Sequence, residues 1–251
     1  MTLADSSFTT SKAKADAFNK FFASVFLPRP DNPCLPTPTT EFDNSTEFTP
    51  VSIEEVLSLL SALSTGKATG PDGISARLLK ECADVIAPSL TELFNKSLAL
   101  GKVPTEWKYA NIVPVPKTKE TRIISIYHPI SLLSLVSKVL EHAVHARTLY
   151  IVKPLLHSQQ HGFRAGRSCI TQLLDVVHNI GRLLHWYNDY LLGRKQRVVV
   201  DGVSSSYLDV TSGVPQGSIV GLLLFLVYVN DLPDAAEYSK VPMFADDSKC
   251  Y

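Results

Sequence analysis

The sequence is poor in cysteine: its 251 residues include 4, and none forms a pair with two-residue spacing. This scarcity argues against a disulfide framework or a zinc knuckle and is compatible with a reducing compartment. The N-terminus lacks a basic stretch followed by an apolar segment, so no secretory signal is predicted. The most apolar run, residues 219–229, is shorter than the roughly 20 residues of a membrane span. We therefore expect an intracellular protein without a membrane partner, in either the nucleus or the cytoplasm.

The chain also lacks a net charge, with 24 Lys and Arg against 24 Asp and Glu. The distribution is uneven, because residues 101–200 carry 14 basic and 5 acidic side chains whereas residues 201–251 carry 2 and 7. A basic middle beside an acidic end is typical of a nucleic-acid groove next to a metal site. Ordinary patchiness of charge is the alternative.

Apolar periodicity predicts helices along much of the chain. An amphipathic helix over 12–27 is followed by a Pro-rich linker over 28–50, because proline interrupts both helices and central strands. Ser52-Ile53-Glu54-Glu55 has the form of a capping box, and Gly66 is predicted to end that helix. Further helices are predicted over residues 76–82, 87–100, 134–151 and 219–229, with another running through Leu184.

Strands are predicted at three places in the sequence. Ala110–Val115 is one candidate, and residues 240–245 are another. β-Branched runs at 197–201 and 207–210 predict a hairpin that turns around Gly202-Val203-Ser204-Ser205.

Two adjacent carboxylates, Asp246 and Asp247, follow the last apolar strand. Carboxylate oxygens hold the paired divalent cations of two-metal phosphoryl transfer. Because neighbouring residues of a strand point to opposite faces, a hairpin turn is needed to present at least one Asp. We interpret the pair as catalytic and metal-binding, and a solvated turn is the alternative.

The segment Gly213-Val214-Pro215-Gln216-Gly217-Ser218 opens the apolar run. Pro215 stiffens it, Gly217 permits close approach of a backbone, and Gln216 can donate and accept hydrogen bonds. These properties suit contact with a base pair or an incoming nucleotide. A helix start capped near Ser218 is an alternative that is compatible with the first interpretation.

The order of several motifs resembles the reverse transcriptase of non-LTR (LINE-type) retrotransposons over roughly residues 50–251. The resembling pieces are Gly66–Gly73, Trp107 with Ala110–Lys117, Pro129–Ser134 with Lys138 and Glu141, Gln160–Arg164 with Gly166–Ser168, Gln172–Leu174, Arg194–Val198, Gly213–Gly221 and Phe244–Asp247.

This resemblance implies an α/β (α+β) fold: a right-hand polymerase fragment with helix-rich fingers and a partial antiparallel palm sheet. Residues 1–50 would be a helical segment and linker, residues 51–180 the fingers and start of the palm, and residues 181–251 a partial palm. The implied partners are an RNA template, a DNA primer and deoxynucleoside triphosphates, and the implied cofactor is a pair of Mg²⁺ ions.

The resemblance also assigns site residues. Asp246 and Asp247 would be palm carboxylates that bind the metal. The residues expected on the nucleotide or template side are Gln216, Gly217, Lys117, Arg164 and Arg167.

The sequence departs from the family at several positions. The family carries a third palm carboxylate on a strand between the Gly-Phe-Arg and Arg-Lys-Gln-Arg motifs. Here the segment that ends at Ile180 is followed at once by Gly181–Tyr187, and no such strand motif lies between them. Asp175 and Asp189 lie in helical patterns and are poor substitutes. His128 stands where the family has Arg, and Leu222 replaces a Pro. We therefore expect an internally deleted chain, truncated after Tyr251, whose catalytic activity is lost. A mis-joined reading frame at this point is the alternative to a real deletion.

Three functions stay open at this point. The first is an RNA-directed DNA polymerase, and the second is a non-catalytic remnant that binds RNA through residues 101–200. The third is an interaction protein without a nucleic-acid role. Separately, Glu141, His142 and His145 are expected on the surface of a helix.

Overall fold

The computed structural model describes residues 2–3, 6–28, 49–118, 123–152, 182–229, 243–244 and 247–248. Its helices are α1 (Ser11–Ser24), α2 (Ile53–Ser61), α3 (Ala76–Glu81), α4 (Ala83–Leu100), α5 (Leu135–Val152), α6 (Arg182–Leu191) and α7 (Ile219–Val229). Its strands are β1 (Thr2–Leu3), β2 (Ser6–Ser7), β3 (Tyr109–Pro116), β4 (Tyr127–Leu132), β5 (Lys195–Val200), β6 (Val203–Ser204), β7 (Leu208–Asp209), β8 (Met243–Phe244) and β9 (Asp247–Ser248). The fold is therefore of mixed α and β type, as predicted.

Helix α2 shows how local chemistry sets an element's bounds. The Ser52 hydroxyl accepts a hydrogen bond from the Glu55 amide at 3.2 Å, which satisfies one of the free donors of the first turn. The capping box is thereby confirmed at the start of the helix. At its other end the prediction is wrong, because α2 ends at Ser61, before Gly66. By contrast, α4 ends at Gly101 and α7 spans residues 219–229, both as predicted.

The central sheet has the order β4-β3-β5-β6, and β7 pairs with the start of β5. Strands β3 and β4 are antiparallel, whereas β3 and β5 are parallel. The prediction of an antiparallel sheet is thus corrected to a mixed one. The parallel pairing is possible because a long stretch of chain, including α5 and α6, connects the two strands.

Strand β4 was not predicted, because Pro129 lies inside it. Pro129 pairs with Pro114 of β3. The amide of Ser131, two residues along, points away from β3 to the outer edge of the sheet, where it meets the loop at Gln216. Because backbone nitrogens two residues apart in a strand point to the same side, the Pro129 nitrogen also points to this outer edge. The missing N–H of proline therefore costs no hydrogen bond to β3.

The predicted hairpin is present, but its turn is shorter than expected. Asp201 and Gly202 have positive φ angles of 50° and 76°. Val203 pairs with Val200 directly after this two-residue turn. Two successive positive φ angles match the right-handed twist of the flanking strands, so Val203–Ser204 belongs to a strand and not to the turn.

Two apolar cores hold the described residues together. The helical core lies among α2–α6 and the start of α7, and it includes Phe94, Trp186 and Tyr190. The sheet core lies between α1 and one face of the sheet, and it includes Phe18 and Val198. No helix in the described part of the chain is long and apolar enough to cross a membrane.

Candidate nucleic-acid and nucleotide site

The loop Gly213–Ser218 lies against the outer edge of β4. The Gln216 carbonyl accepts a hydrogen bond from the Ser131 amide at 2.9 Å. Gly217 has a φ of 106°, and a Cβ built on it would lie 3.1 Å from the Ser131 carbonyl oxygen. Both observations explain the glycine, since an L side chain rarely adopts this conformation and the β4 backbone leaves little room. The sequence pieces around Ser131 and Gln216 therefore meet in space.

Helix α7 begins directly after this loop. The Ser218 hydroxyl accepts a hydrogen bond from the Gly221 amide at 3.1 Å, and the Ser218 amide donates to the Pro215 carbonyl at 3.0 Å. The interpretation of Ser218 as a helix cap is therefore confirmed. A side chain at Gly221 would collide with the Ser218 hydroxyl, which accounts for the glycine there.

Glu141 of α5 lies beneath the start of α7. Its carboxylate is fully buried and accepts hydrogen bonds from the Ile219 amide at 2.8 Å and the Tyr190 hydroxyl at 3.1 Å. Burial raises the pKa of Glu141, while the Ile219 amide, Tyr190 and the charge of Arg194 oppose that rise. The prediction that Glu141 lies on a helix surface is wrong, because α5 is packed between the other helices and α7.

A second loop, Gly66–Gly73, packs against the junction of β4 and α5. A Cβ at Gly70 would lie 2.6 Å from the backbone of Leu133 and Ser134. No real Cβ approaches a backbone this closely, so only glycine fits at this contact. Three resembling pieces, around Gly70, Ser131–Glu141 and Gln216, thus converge at one end of the sheet.

Four cationic or titratable side chains lie near this convergence, and we call them the cationic cluster: Lys67, Lys138, His142 and His145. Burial lowers the pKa of Lys138, and Lys67 lowers it further by repulsion. Burial likewise lowers the pKa of His142, with repulsion from His145, Lys67 and Lys138. Lys67 acts on both Lys138 and His142, and His145 acts on His142, so the four groups lie within one electrostatic environment.

The cationic cluster is only partly compensated by the described residues. Within the described ranges, none of its four side chains makes a hydrogen bond or an ion pair, and Glu141 is the carboxylate whose charge acts on Lys138. A cluster of this kind attracts an anionic partner, because opposite charge from the ligand replaces the missing counter-charge.

The face of the sheet turned away from α1 is half-exposed. The Arg197 guanidinium lies 5.0 Å from the centroid of the Tyr207 ring and donates to the Asn111 amide oxygen at 2.8 Å. Tyr109 packs edge-on against Tyr207, with ring centroids 5.0 Å apart. Lys117 follows the end of β3 and is exposed, and His128 is exposed on β4. This face combines aromatic rings with cationic groups.

The predicted carboxylate site is described only in part. Strands β8 and β9 pair antiparallel, with Phe244 opposite Asp247. Asp247 therefore begins the second strand of an antiparallel pair. Asp246, Arg164 and Arg167 lie outside the described residues, as does Asp175. Among the described residues, no group of three or more His, Cys, Asp or Glu side chains could hold a metal ion.

Asp189, considered as a replacement for the third carboxylate, has a structural role instead. It lies in α6 and accepts hydrogen bonds from the Val103 amide at 2.8 Å and from Lys108 at 2.7 Å. Burial opposes its ionisation, but these bonds and Lys102 leave the pKa of Asp189 lowered. Its carboxylate joins α6 to the segment that follows α4, so the prediction that it is a poor substitute agrees with the structure.

Comparison with known proteins agrees with the resemblance of these motifs to reverse transcriptases. No protein-family model matches. The chain is 27% identical to the RNA-directed DNA polymerase from mobile element jockey of Drosophila melanogaster over 92% of its own length. It is 30% identical to the probable RNA-directed DNA polymerase from transposon X-element over 80% of its own length. It is 27% identical to the probable RNA-directed DNA polymerase from transposon BS over 77% of its own length, and both relatives are from the same organism.

The chain is therefore related to the reverse transcriptases of non-LTR retrotransposons, as the order of its motifs predicts. It spans 30% of the jockey protein and 27% of the X-element protein. The jockey alignment extends over 279 residues, more than the whole 251-residue chain, although it spans only 92% of that chain. This relative thus carries residues within the aligned stretch that have no counterpart here.

Proposed function

We propose that the chain is a fingers–palm fragment of an RNA-directed DNA polymerase that binds an RNA template with its DNA primer but no longer extends the primer. The observation that carries this proposal is the convergence of the Gly66–Gly73 loop, the Ser131–Glu141 segment and the Gly213–Ser218 loop at one end of the sheet. Motifs far apart in sequence gain a common surface there, with the cationic cluster beside it.

Binding is attributed to two surfaces. The cationic cluster suits phosphate groups, because lysines that neutralise phosphates release the counterions bound to the nucleic acid. The sheet face with Tyr207 and Arg197 suits stacked bases and the sugar–phosphate backbone, and Lys117 adds a cationic group beyond the far end of β3. Arg164 and Arg167 are assigned to the template side by resemblance alone. In this proposal the basic middle of the sequence is the nucleic-acid surface.

Residues 51–180 are assigned to the fingers and start of the palm, and residues 181–251 to a partial palm. Helix α1 of the first 50 residues packs on β5 of that partial palm, where the Gln196 amide donates to the Asn19 side chain at 3.1 Å. We therefore assign α1 to the same packed unit as the partial palm.

The loss of catalysis is attributed to the missing third carboxylate. In an intact site, two divalent ions, which we take to be Mg²⁺, would activate the primer hydroxyl and stabilise the leaving oxygen. Asp246 and Asp247 would hold them here. Neither Asp189 nor Glu141 suits the role of the third carboxylate, because Asp189 is held by Lys102, Lys108 and the Val103 amide, and the Glu141 carboxylate accepts from Ile219 and Tyr190.

The proposal is tested with a fluorescent DNA primer annealed to an RNA template. We expect salt-sensitive binding without primer extension in Mg²⁺ or Mn²⁺. Replacing Lys67 and Lys138 by Ala should weaken binding about tenfold and reduce the salt slope by about two, since each lysine contributes about one counterion. Lys96→Ala, on the exposed side of α4, is the matched control and should change neither quantity.

Two outcomes would contradict parts of the proposal. Binding that is absent, or insensitive to salt, would remove the nucleic-acid role. Primer extension that disappears in Asp246→Ala would instead support the second candidate function, an active polymerase. The observation that favours this second candidate is the β8–β9 hairpin, whose register places Asp247 at the start of its second strand.

A further inference from the structure

Glu141 is a buried carboxylate for which neither the two-metal chemistry nor the surface for nucleic acid has a use. Burying a carboxylate costs free energy, and an apolar residue of similar volume would often stabilise the packing more. The contacts of Glu141 indicate a different role. Its two oxygens divide their bonds between α6 and the first amide of α7.

One oxygen of Glu141 fixes the end of the loop Gly213–Ser218. Oε2 accepts from the Ile219 amide at 2.8 Å, and these two residues are 78 positions apart in the chain. The same loop is fixed near its middle by the bond from Ser131 to the Gln216 carbonyl. Gln216 and Gly217 therefore lie between two anchors, of which one belongs to β4 and the other to α5.

The other oxygen holds the group that supports Ser218. Oε1 accepts from the Tyr190 hydroxyl at 3.1 Å and from the Ser137 hydroxyl at 3.3 Å. The Tyr190 hydroxyl also faces Ser218, whose own hydroxyl caps α7. The Arg194 guanidinium stacks on the Tyr190 ring at 4.7 Å from its centroid and holds the ring in place. Both bonds of Glu141 thus act on the same helix start.

We propose that Glu141 is a positioning residue that sets the place of the Gly213–Ser218 loop relative to β4, and so orients the backbone at Gln216 and Gly217 towards the incoming deoxynucleoside triphosphate. This inference rests on the proposed function for its ligand, but the anchoring itself does not. A carboxylate suits the task because it accepts two sets of hydrogen bonds at once, which no apolar side chain can do.

Two variants distinguish the hydrogen-bond acceptor function of Glu141 from its contribution to packing. Glu141→Gln keeps the shape and one oxygen for the Ile219 amide, whereas Glu141→Leu keeps an apolar side chain of similar size without any acceptor. Ser137→Ala removes only the longest bond to Glu141 and is the matched control. Thermal melting of each full-length variant shows whether the fold is retained.

The first measurement is amide hydrogen exchange, which does not depend on any ligand. We expect the Ile219 and Ser218 amides, which donate to Glu141 and to the Pro215 carbonyl, to exchange at least about tenfold faster in Glu141→Leu, and close to the wild-type rate in Glu141→Gln and Ser137→Ala. Unchanged exchange at both amides in Glu141→Leu would overturn the inference. So would equal acceleration in Glu141→Gln and Glu141→Leu that follows a fall in melting temperature.

The second measurement is the affinity of the primer–template complex for the complementary deoxynucleoside triphosphate. We expect Glu141→Leu to weaken it about tenfold and Glu141→Gln about twofold or less, while affinity for the primer–template itself stays unchanged. Parallel loss of both affinities would contradict the positioning role. If the wild-type chain binds neither ligand, the proposed function fails, and the exchange measurement alone decides whether Glu141 anchors the loop.

Discussion

Both cores pack aromatic rings, but in the helical core the rings stack among the helices, whereas in the sheet core a helix is also fixed to the sheet by buried amides and hydroxyls. Trp186 stacks on Tyr190 with ring centroids 5.2 Å apart. In the sheet core, the Asn19 amide of α1 donates to the Ser205 hydroxyl at 2.9 Å and accepts from Gln196 at 3.1 Å. Apolar packing tolerates exchange of similar shapes, but a buried polar network requires each partner.

This difference bears on the candidate site, because the Gly213–Ser218 loop is attached to both regions. Ser131 of β4 holds it from the sheet, and Glu141 of α5 holds it from the helices. The place of the loop therefore depends on how the two regions pack together. A destabilising substitution in either core is therefore expected to displace the Gly213–Ser218 loop.

The largest effect is expected in the helical core. Trp186→Ala should lower the free energy of unfolding by about 3–5 kcal/mol, because it leaves a cavity and removes the bond to the Ser97 hydroxyl. Urea denaturation followed by circular dichroism measures this loss. Trp186→Phe should retain most of the packing and lose much less. Similar losses for both variants would show that the hydrogen bond, and not the ring packing, holds this core.

A smaller but more specific effect is expected in the sheet core. Asn19→Ala should cost about 1–3 kcal/mol, because the buried Gln196 amide loses its acceptor and the Ser205 hydroxyl loses one of its hydrogen bonds. Hydrogen exchange should show α1 opening before α2–α6. The control is Lys20→Ala, at the exposed neighbouring position of the same helix. If the whole chain opened together in Asn19→Ala, the two regions would form one cooperative unit.

The contact between the two regions can be tested within a single loop. Gly70→Ala should cost about 1–3 kcal/mol, because its Cβ would meet the backbone at Leu133 and Ser134. Gly66→Ala is matched to it, since a Cβ there has no neighbour within 4 Å. Chemical denaturation compares the two variants. Equal stability of both would mean that the Gly66–Gly73 loop does not need its close approach to β4.

The smallest effect concerns an ion pair at the edge of the helical core. Arg147 donates two hydrogen bonds of 2.8 Å to the Glu55 carboxylate, which lowers the pKa of Glu55 below the ordinary 4.5. Glu55 therefore stabilises the fold above the unfolded-state pKa, and this contribution disappears as the pH falls through the lower folded-state pKa.

Glu55→Gln should accordingly cost about 1 kcal/mol or less at neutral pH and almost nothing in acid, as measured by denaturation at several pH values. The exposed pair between Arg77 and Glu81 is the control, and Glu81→Gln should change stability even less. A constant cost of Glu55→Gln across the pH range would show that charge is not the source of this stabilisation.

Helix ends and apolar faces were the features that the sequence predicted best. Ser52 caps α2, Gly101 ends α4, and α7 has the predicted bounds. These features depend on residues within a few positions of one another, so periodicity and capping chemistry are sufficient. Strand β4 was missed for the complementary reason: Pro129 argues locally against a strand, and only the position at a sheet edge removes that objection.

The candidate site was predicted as a set of motifs and not as a geometry. The sequence indicated Gln216, Gly217 and Lys117, but it did not indicate that Ser131 would bind the Gln216 carbonyl. It also placed Glu141 on a surface. The sequence of α5 did contain a sign of this burial, because apolar residues precede and follow Glu141. The same pattern also occurs on helices whose charged residue faces solvent, so it did not decide the question.

By itself, the sequence determined the relationship to the reverse transcriptases of non-LTR retrotransposons, the mixed α and β class and several helix ends, because motif order, capping and periodicity depend on residues that are close together in the sequence. Only the tertiary structure decided that Glu141 is buried, that Asp189 is a structural anchor and that three distant motifs share one end of the sheet. Contacts such as that between Glu141 and Ile219 join residues 78 positions apart. They form only when the helical core and the sheet core have packed, and local preferences do not specify that arrangement.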